Sequence, residues 1–149
     1  MKSHYKVAIV GASGLVGRTV LKVLEEQSLT NVEYVLFSSK KSAGLPIKFM
    51  GKSYIFCELT DNSFDLNFDF AIFAAGSDVA KHFAPIAVSK GCVVIDNSSA
   101  FRMNPEVPLV VPEVNPETIS MNKGIIANPN CSTIQAVVAL KALDNKYFI

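Results

Sequence analysis

The chain has 149 residues, is 50% hydrophobic and 18% charged, and carries a formal net charge of +1, the composition of one compact domain with a sizeable core. No Lys/Arg run is long enough to track a phosphate backbone and no apolar stretch reaches the roughly 20 residues of a membrane span, which argues against nucleic acid and membrane as partners. Three cysteines, at 57, 92 and 131, make neither a disulfide framework nor a metal cluster, so a reducing cytoplasm is the expected home.

The N-terminus lacks a signal-peptide pattern and passes into Lys6-Val7-Ala8-Ile9-Val10-Gly11, a run that predicts a strand buried on both faces. Gly11-Ala12-Ser13-Gly14-Leu15-Val16-Gly17 follows, and apolar residues at 16, 20, 21, 23 and 24 predict a helix from Leu15 to Glu26 packed on one side. A strand, a glycine turn and a helix whose N-terminus faces the turn form a phosphate-binding unit. Gly11, Gly14 and Gly17 admit a close backbone approach, and the free N–H groups hold a pyrophosphate. The spacing G-x-x-G-x-x-G is a relative of the usual dinucleotide fingerprint, and an ordinary βα turn is the alternative.

A second strand, 32–37, runs into Ser38-Ser39-Lys40-Lys41-Ser42-Ala43-Gly44, where an NAD site carries an Asp or Glu for the ribose hydroxyls. The hydroxyls of Ser39 and Ser42 and the Lys41 ammonium suit a 2′-phosphate instead, so NADP is expected over NAD; a solvated loop is the alternative. Residues 47–57, broken by Gly51-Lys52, predict a hairpin with Cys57 packed in its second strand, and 61–69 is polar and irregular. Phe70 to Gly76 reads as a buried strand whose small Ala74, Ala75 and Gly76 let a cofactor lie close. Ser77-Asp78 predicts a cap for a helix from Val79 to Ser89, which Gly91 stops. His82 is expected on that helix's surface, His4 has no identifiable role, and Cys92 opens the next strand as a core cysteine.

Asn97 to Met103 is a polar loop at that strand's C-terminal end, the edge along which open α/β sheets bind ligands. Arg102 there can clamp a phosphate or carboxylate, or pair with a surface acid. Pro105, Pro108, Pro112 and Pro116 punctuate extended pieces around Leu109-Val110-Val111, with a short helical turn from Asn115. Gly124 to Ala127 reads as a strand and Ile134 to Leu143 as a strong helix former, so Asn128-Pro129-Asn130-Cys131-Ser132-Thr133 puts Cys131 in a helix's first turn. Unpaired N–H groups there favour an anion, for a cysteine the thiolate, which attacks carbonyls; a buried structural cysteine is the alternative. Strands alternating with helices predict an α/β fold, a Rossmann-like doubly wound, mostly parallel sheet.

Four stretches, the glycine turn, residues 39–44, residues 96–103 with 111–115, and residues 128–133, together resemble the N-terminal part of the aspartate-β-semialdehyde dehydrogenase family, from about residue 5 onward. N-acetyl-γ-glutamyl-phosphate reductases share the layout but differ around the nucleophile and the Arg loop, and are the runner-up. The resemblance implies NADPH-dependent reduction of L-aspartyl-4-phosphate to the semialdehyde and phosphate, towards lysine, threonine, methionine and diaminopimelate. It implies Cys131 as the nucleophile that forms a thioester, Arg102 as phosphate ligand and Asn130 beside the reacting carbonyl. Ser13, Gly14, Leu15 and Val16 would wrap the pyrophosphate, and Lys41 with Ser42 the adenosine phosphate. Lys41 departs from the many members with Arg there, and an ammonium cannot stack and fork as a guanidinium does.

The family's acid/base is a His from a second domain that also makes a homodimer and is absent from this sequence. Residues 1–130 are thus expected as a dinucleotide-binding domain and 131–149 as the nucleophile helix leading into that missing domain. The chain alone is expected to bind NADP and to turn over its acyl-phosphate or aldehyde substrate negligibly. A competing reading is a non-enzymatic NADP-binding module in which Cys131 senses oxidation; Arg102 on the same edge speaks against it.

Overall fold

Val7, Ala8, Ile9 and Val10 are consecutive, apolar and all buried, and a strand covered on both faces belongs at the centre of a parallel sheet. The computed structural model describes residues 3–147. Met1 and Lys2, at the start of the expected dinucleotide-binding unit, and Phe148 and Ile149, at the end of the expected nucleophile helix, lie outside the described residues. In chain order the elements are β1 (Tyr5–Val10), α1 (Leu15–Gln27), β2 (Val32–Ser38), β3 (Pro46–Phe49), β4 (Lys52–Ile55), β5 (Cys57–Glu58), β6 (Phe70–Phe73), α2 (Ser77–Ser89), β7 (Val93–Asp96), β8 (Ile125–Ala127) and α3 (Cys131–Tyr147). Six strands form one sheet in the order β5-β2-β1-β6-β7-β8, with every neighbouring pair parallel. β3 and β4 make a separate antiparallel hairpin.

Pleating sends alternate side chains to opposite faces. Val7, Ile9, Tyr34 and Leu36 pack with Leu21, Val20 and Leu24 of α1. Ala8, Val10, Phe37, Phe73 and Val94 pack with Ala80, Ala84 and Ala87 of α2, whose small side chains let helix and sheet approach closely. Helices on both faces of a parallel sheet make this the Rossmann-like, doubly wound α/β fold that the sequence predicts.

The two faces are not equally covered. Val7 pairs with Phe70 and Ile9 with Ile72, so Phe70, Ile72, Val93, Ile95 and Ile126 continue the α1 face across β6, β7 and β8. None of the five is fully buried, and Phe70 is 36% exposed. Phe70, Ile72 and Ile95 line a wholly apolar hollow of about 210 Å³ beside Leu24 and Leu29. α3 also has no buried residue, and its Val138, Leu140, Leu143 and Tyr147 are exposed. Among the described residues no helix is long and apolar enough to cross a membrane.

Four local expectations are corrected. On α1 the inward stripe is 17, 20, 21 and 24, a seam at i, i+3, i+4 and i+7, while Val16 and Val23 are 52% and 46% exposed. Cys57 is exposed and lies beyond the hairpin, in β5 at the sheet edge, because Phe56 takes the buried position before it. Residues 61–69 contain a 3-10 turn, Ser63–Leu66, that carries Phe64 into the core, with Phe68 following. Gly76, not Ser77 or Asp78, caps α2, and the Ser77 hydroxyl bonds Ser99 Oγ at 2.9 Å instead.

Candidate functional site

All six strands run the same way, so their carboxyl ends gather along one edge, and the chain leaves β1 and β6 towards opposite faces. Such a switch point opens a crevice. Here it is a cleft of about 330 Å³ bordered by Gly11, Ser13, Gly14, Ser38, Ser39 and Ala75, with Leu59, Val79 and Phe83 as an apolar wall. That wall carried no sequence signal beyond ordinary core patterning, since residues 59 and 83 meet only through the fold.

Gly11, at φ +82, and Ala12 both donate main-chain N–H to Phe37 O at 3.0 Å, tying the loop to the end of β2. A Cβ on Gly11 would lie 2.8 Å from Ala74 O and one on Gly17 2.2 Å from Gly11 O, whereas at Gly14 the nearest atom is 3.4 Å away. Positions 11 and 17 must therefore be glycine for the fold alone, while Gly14, the exposed N-cap of α1, faces the cleft with room beside it. The first N–H groups of α1, at Leu15 and Val16, have no acceptor within the helix, which leaves them for an anion. The Leu15 and Val16 side chains are 86% and 52% exposed.

After β2 the chain turns through Ser39, with Ser42 N and Ala43 N both donating to Ser39 O at 2.9 and 3.1 Å. Ser39 and Lys41 are exposed, Ser42 is half-buried, and Lys41 makes no ion pair among the described residues. Gly76 has open space around it at the start of α2 and does not border the cleft. The residues present fit a dinucleotide: a backbone cradle that side chains would fill, free N–H donors at a helix start, and hydroxyls with a free cation at the end of β2.

Further along the edge Asp96 is fully buried at the end of β7. Its carboxylate accepts from Ser98 N at 2.9 Å and Ser98 Oγ at 2.8 Å, and Ser98 Oγ accepts from Ala100 N at 3.0 Å. This folds the loop back so that Arg102 reaches the end of β8. Arg102 Nε donates to Asn128 O at 2.9 Å and Nη2 to Asn97 O at 2.9 Å. The rest of the guanidinium has no protein acceptor among the described residues, and no carboxylate pairs with it. Two asparagines complete the cluster: Asn128 Nδ2 donates to Asn97 Oδ1 at 2.7 Å, and Asn97 Nδ2 to Phe73 O at 3.0 Å.

Three residues after Asn128, α3 begins at Cys131, whose side chain is exposed. Asn130 caps the helix, its Oδ1 accepting from Ser132 N at 2.9 Å and its main-chain O from Ile134 N at 3.0 Å. Its side-chain oxygen is thus committed locally, which leaves Nδ2 as its uncommitted donor. Arg102 is bonded to the turn that holds Asn130 and Cys131, and the glycine loop and Ser39 border the cleft on the same edge, whereas Lys41 and Ser42 lie beyond its lining. His82 pairs with Asp61 at 2.7 Å on the exposed side of α2, and neither it nor the exposed His4 bonds Cys131. Among the described residues no group of three or more His, Cys, Asp or Glu is placed to hold a metal.

Sequence reasoning did not single out Asn97 and Asn128. The available signal was their placement, each the first residue beyond a buried strand and one of them directly before proline, where a short amide side chain bonds neighbouring main chain.

Residues 6–122 match the family model described as semialdehyde dehydrogenase, NAD binding domain. The aspartate-semialdehyde dehydrogenase of Aquifex aeolicus is 57% identical over 145 residues, which is 95% of this chain and 42% of that protein. The crystal structure of aspartate semialdehyde dehydrogenase II from Vibrio cholerae, complexed with ASA, superposes with a TM-score of 0.91 at 45% identity, over 96% of this chain and 47% of that one. The enzyme of Candida albicans, solved with NADP, superposes with a TM-score of 0.78 at 27% identity, over 96% of this chain and 47% of that one. The chain spans less than half the length of the relatives it matches. A family match over most of the sequence coincides with the cleft at its glycine loop, so the chain belongs to the semialdehyde dehydrogenase family, forms its NAD-binding domain, and groups within it with the aspartate-semialdehyde dehydrogenases.

Proposed function

We propose that this chain is the cofactor-binding, nucleophile-bearing part of an NADP-dependent enzyme that reduces L-aspartyl-4-phosphate to L-aspartate-4-semialdehyde and phosphate, in the biosynthesis of lysine, threonine, methionine and diaminopimelate. The observation that carries it is the bond from Arg102 Nε to Asn128 O, which fastens an unpaired guanidinium to the turn that presents Cys131. A cation for a leaving phosphate and a thiol for the acyl carbon then stand on one turn, on the edge that holds the glycine cleft.

In this reading the Cys131 sulfur forms a bond to the acyl carbon as the carbon–oxygen bond to phosphate breaks, and Arg102 receives the departing phosphate. Bound at the cleft, NADPH supplies the hydride that reduces the resulting thioester. Asn130 Nδ2 is the donor available to the reacting carbonyl oxygen, and Cys131 leaves again as thiolate when the aldehyde is released. Ser39, Lys41 and Ser42 select the 2′-phosphate, Ser39 bordering the cleft and Lys41 being exposed two residues on, in no ion pair among the described residues. Residues 1–130 bind the dinucleotide, and 131–149 lead towards a catalytic and dimerising domain; the general acid/base belongs to the length that this chain does not span.

The test uses the 149-residue chain itself. NADP should bind more tightly than NAD, with Lys41→Glu reversing the preference. Cys131 should alkylate faster than Cys92, at a rate that NADP changes and inorganic phosphate lowers, and semialdehyde-dependent NADP reduction should be negligible. A Cys131 indifferent to both NADP and phosphate would remove the reading.

A further inference from the structure

Arg102 is held at two points and aimed by neither of them alone. Both of its protein acceptors are main-chain carbonyls, those of Asn97 at the end of β7 and Asn128 at the end of β8. The direction of the free guanidinium edge therefore depends on how those two strand ends lie relative to each other.

Main-chain pairing between the strands does not settle that beyond the last registered pair, Asp96 with Ala127, and the single bond from Asn128 N to Asp96 O at 2.8 Å. The residues that carry the two carbonyls come next, and their side chains bond each other, Asn128 Nδ2 to Asn97 Oδ1 at 2.7 Å. Asn97 is anchored in turn to a third strand, since both its main-chain N and its Nδ2 donate to Phe73 O at 3.0 Å. The Asn97 side-chain amide thus locks the ends of β6, β7 and β8, while the main-chain carbonyl of the same residue holds Arg102.

We propose that Asn97 is a positioning residue. It acts through Asn128 and Arg102, fixing the phosphate-facing guanidinium against the turn that presents Cys131, and touches neither substrate nor thiol. An amide is suited to this because it needs one donor for Phe73 O and one acceptor for Asn128, which neither a carboxylate nor a hydroxyl offers at that reach. The inference rests on the reading of Arg102 as a phosphate ligand given above.

The experiment measures the inorganic phosphate concentration that half-protects Cys131 from alkylation in the full 149-residue chain, with NADP binding and thermal midpoint followed in parallel. Asn97→Ala, which removes the side-chain bonds to both Phe73 O and Asn128, should raise that concentration about tenfold, with NADP affinity unchanged because the glycine loop is untouched. Asn128→Ala removes the partner amide but leaves the link to Phe73 and β6 intact, which guards against a variant that merely fails to fold. It should produce a similar rise, and the double variant should be no worse than the more severe single one, as for two groups acting through each other. Unchanged half-protection in both single variants, additive losses in the double variant, or a fall in NADP affinity matching the loss of phosphate protection would each overturn the proposal. An unmodified chain whose Cys131 ignores phosphate would instead defeat the reading of Arg102 on which it rests.

Discussion

Cys92 is 2% exposed at the entrance to β7, and burial, reinforced by the Asp69 carboxylate, pushes its thiol up from 9.0 to about 12. The folded chain therefore holds this proton more tightly than the unfolded one does. Its contribution to stability is whole below the ordinary value and is lost as pH climbs from about 9 towards about 12, at no more than about 1.4 kcal/mol per pH unit from this one group. Urea midpoints measured upward from about pH 8 should fall in the native chain and fall less in Cys92→Ala, which starts lower because it leaves a small cavity. The three thiols separate by burial, and the sequence anticipated this for Cys92 through its place before a run of β-branched residues. It misplaced Cys57, because the chain changes strand at Phe56 and local alternation cannot reveal which sheet a two-residue edge strand joins. Alkylation has to be followed residue by residue, since Cys57 is exposed as well as Cys131.

At the level of elements, hydrophobic runs and glycine punctuation located β1, α1, β2, the β3–β4 hairpin, β6, α2, β7 and β8, because the contacts that stabilise them follow the period of their own residues, and helix propensity located the start of α3, which buries none. What stayed hidden was set by neighbours distant in sequence. Phe64 and Phe68 read as part of a polar stretch, yet they fill the core beneath Phe37 and Phe73. The glycine loop shows how one motif mixes two demands. Gly17→Ala forces a methyl to within 2.2 Å of Gly11 O and should cost about 3 kcal/mol of stability, whatever ligand is present. Gly14→Ala meets only an ordinary contact at 3.4 Å, so its thermal midpoint should stay close to that of the native chain while NADP affinity drops. Calorimetry and a binding titration on both variants check this. A Gly14→Ala chain that binds NADP normally would mean that the cofactor does not approach the loop there.

For the molecule as a whole, the bare half of the α1 face and the unburied α3 leave two apolar surfaces without cover in the isolated chain. Surfaces of this kind drive association. Sedimentation over a range of concentrations should show dimers or larger species growing with concentration, and Val138→Glu with Leu140→Lys, both at exposed positions on α3, should shift the distribution towards monomer. A native chain that stays monomeric throughout would show that these faces are harmless in water. The sequence pointed to the last helix through the expectation that 131–149 lead into a missing domain, but the bare half of the sheet was not legible, because a strand run reads as buried whether one face or both are covered.

The sheet order β5-β2-β1-β6-β7-β8 has a further property: every strand after the first pairs with one that precedes it in the chain. As the polypeptide leaves the ribosome, each new strand finds its template already made, and assembly spreads outward from β1 without waiting for distant sequence. The cleft's glycine loop emerges early, Arg102 later, and Cys131 after both. A growing chain therefore never exposes the Cys131 thiol before the glycine loop and Arg102 have been synthesised.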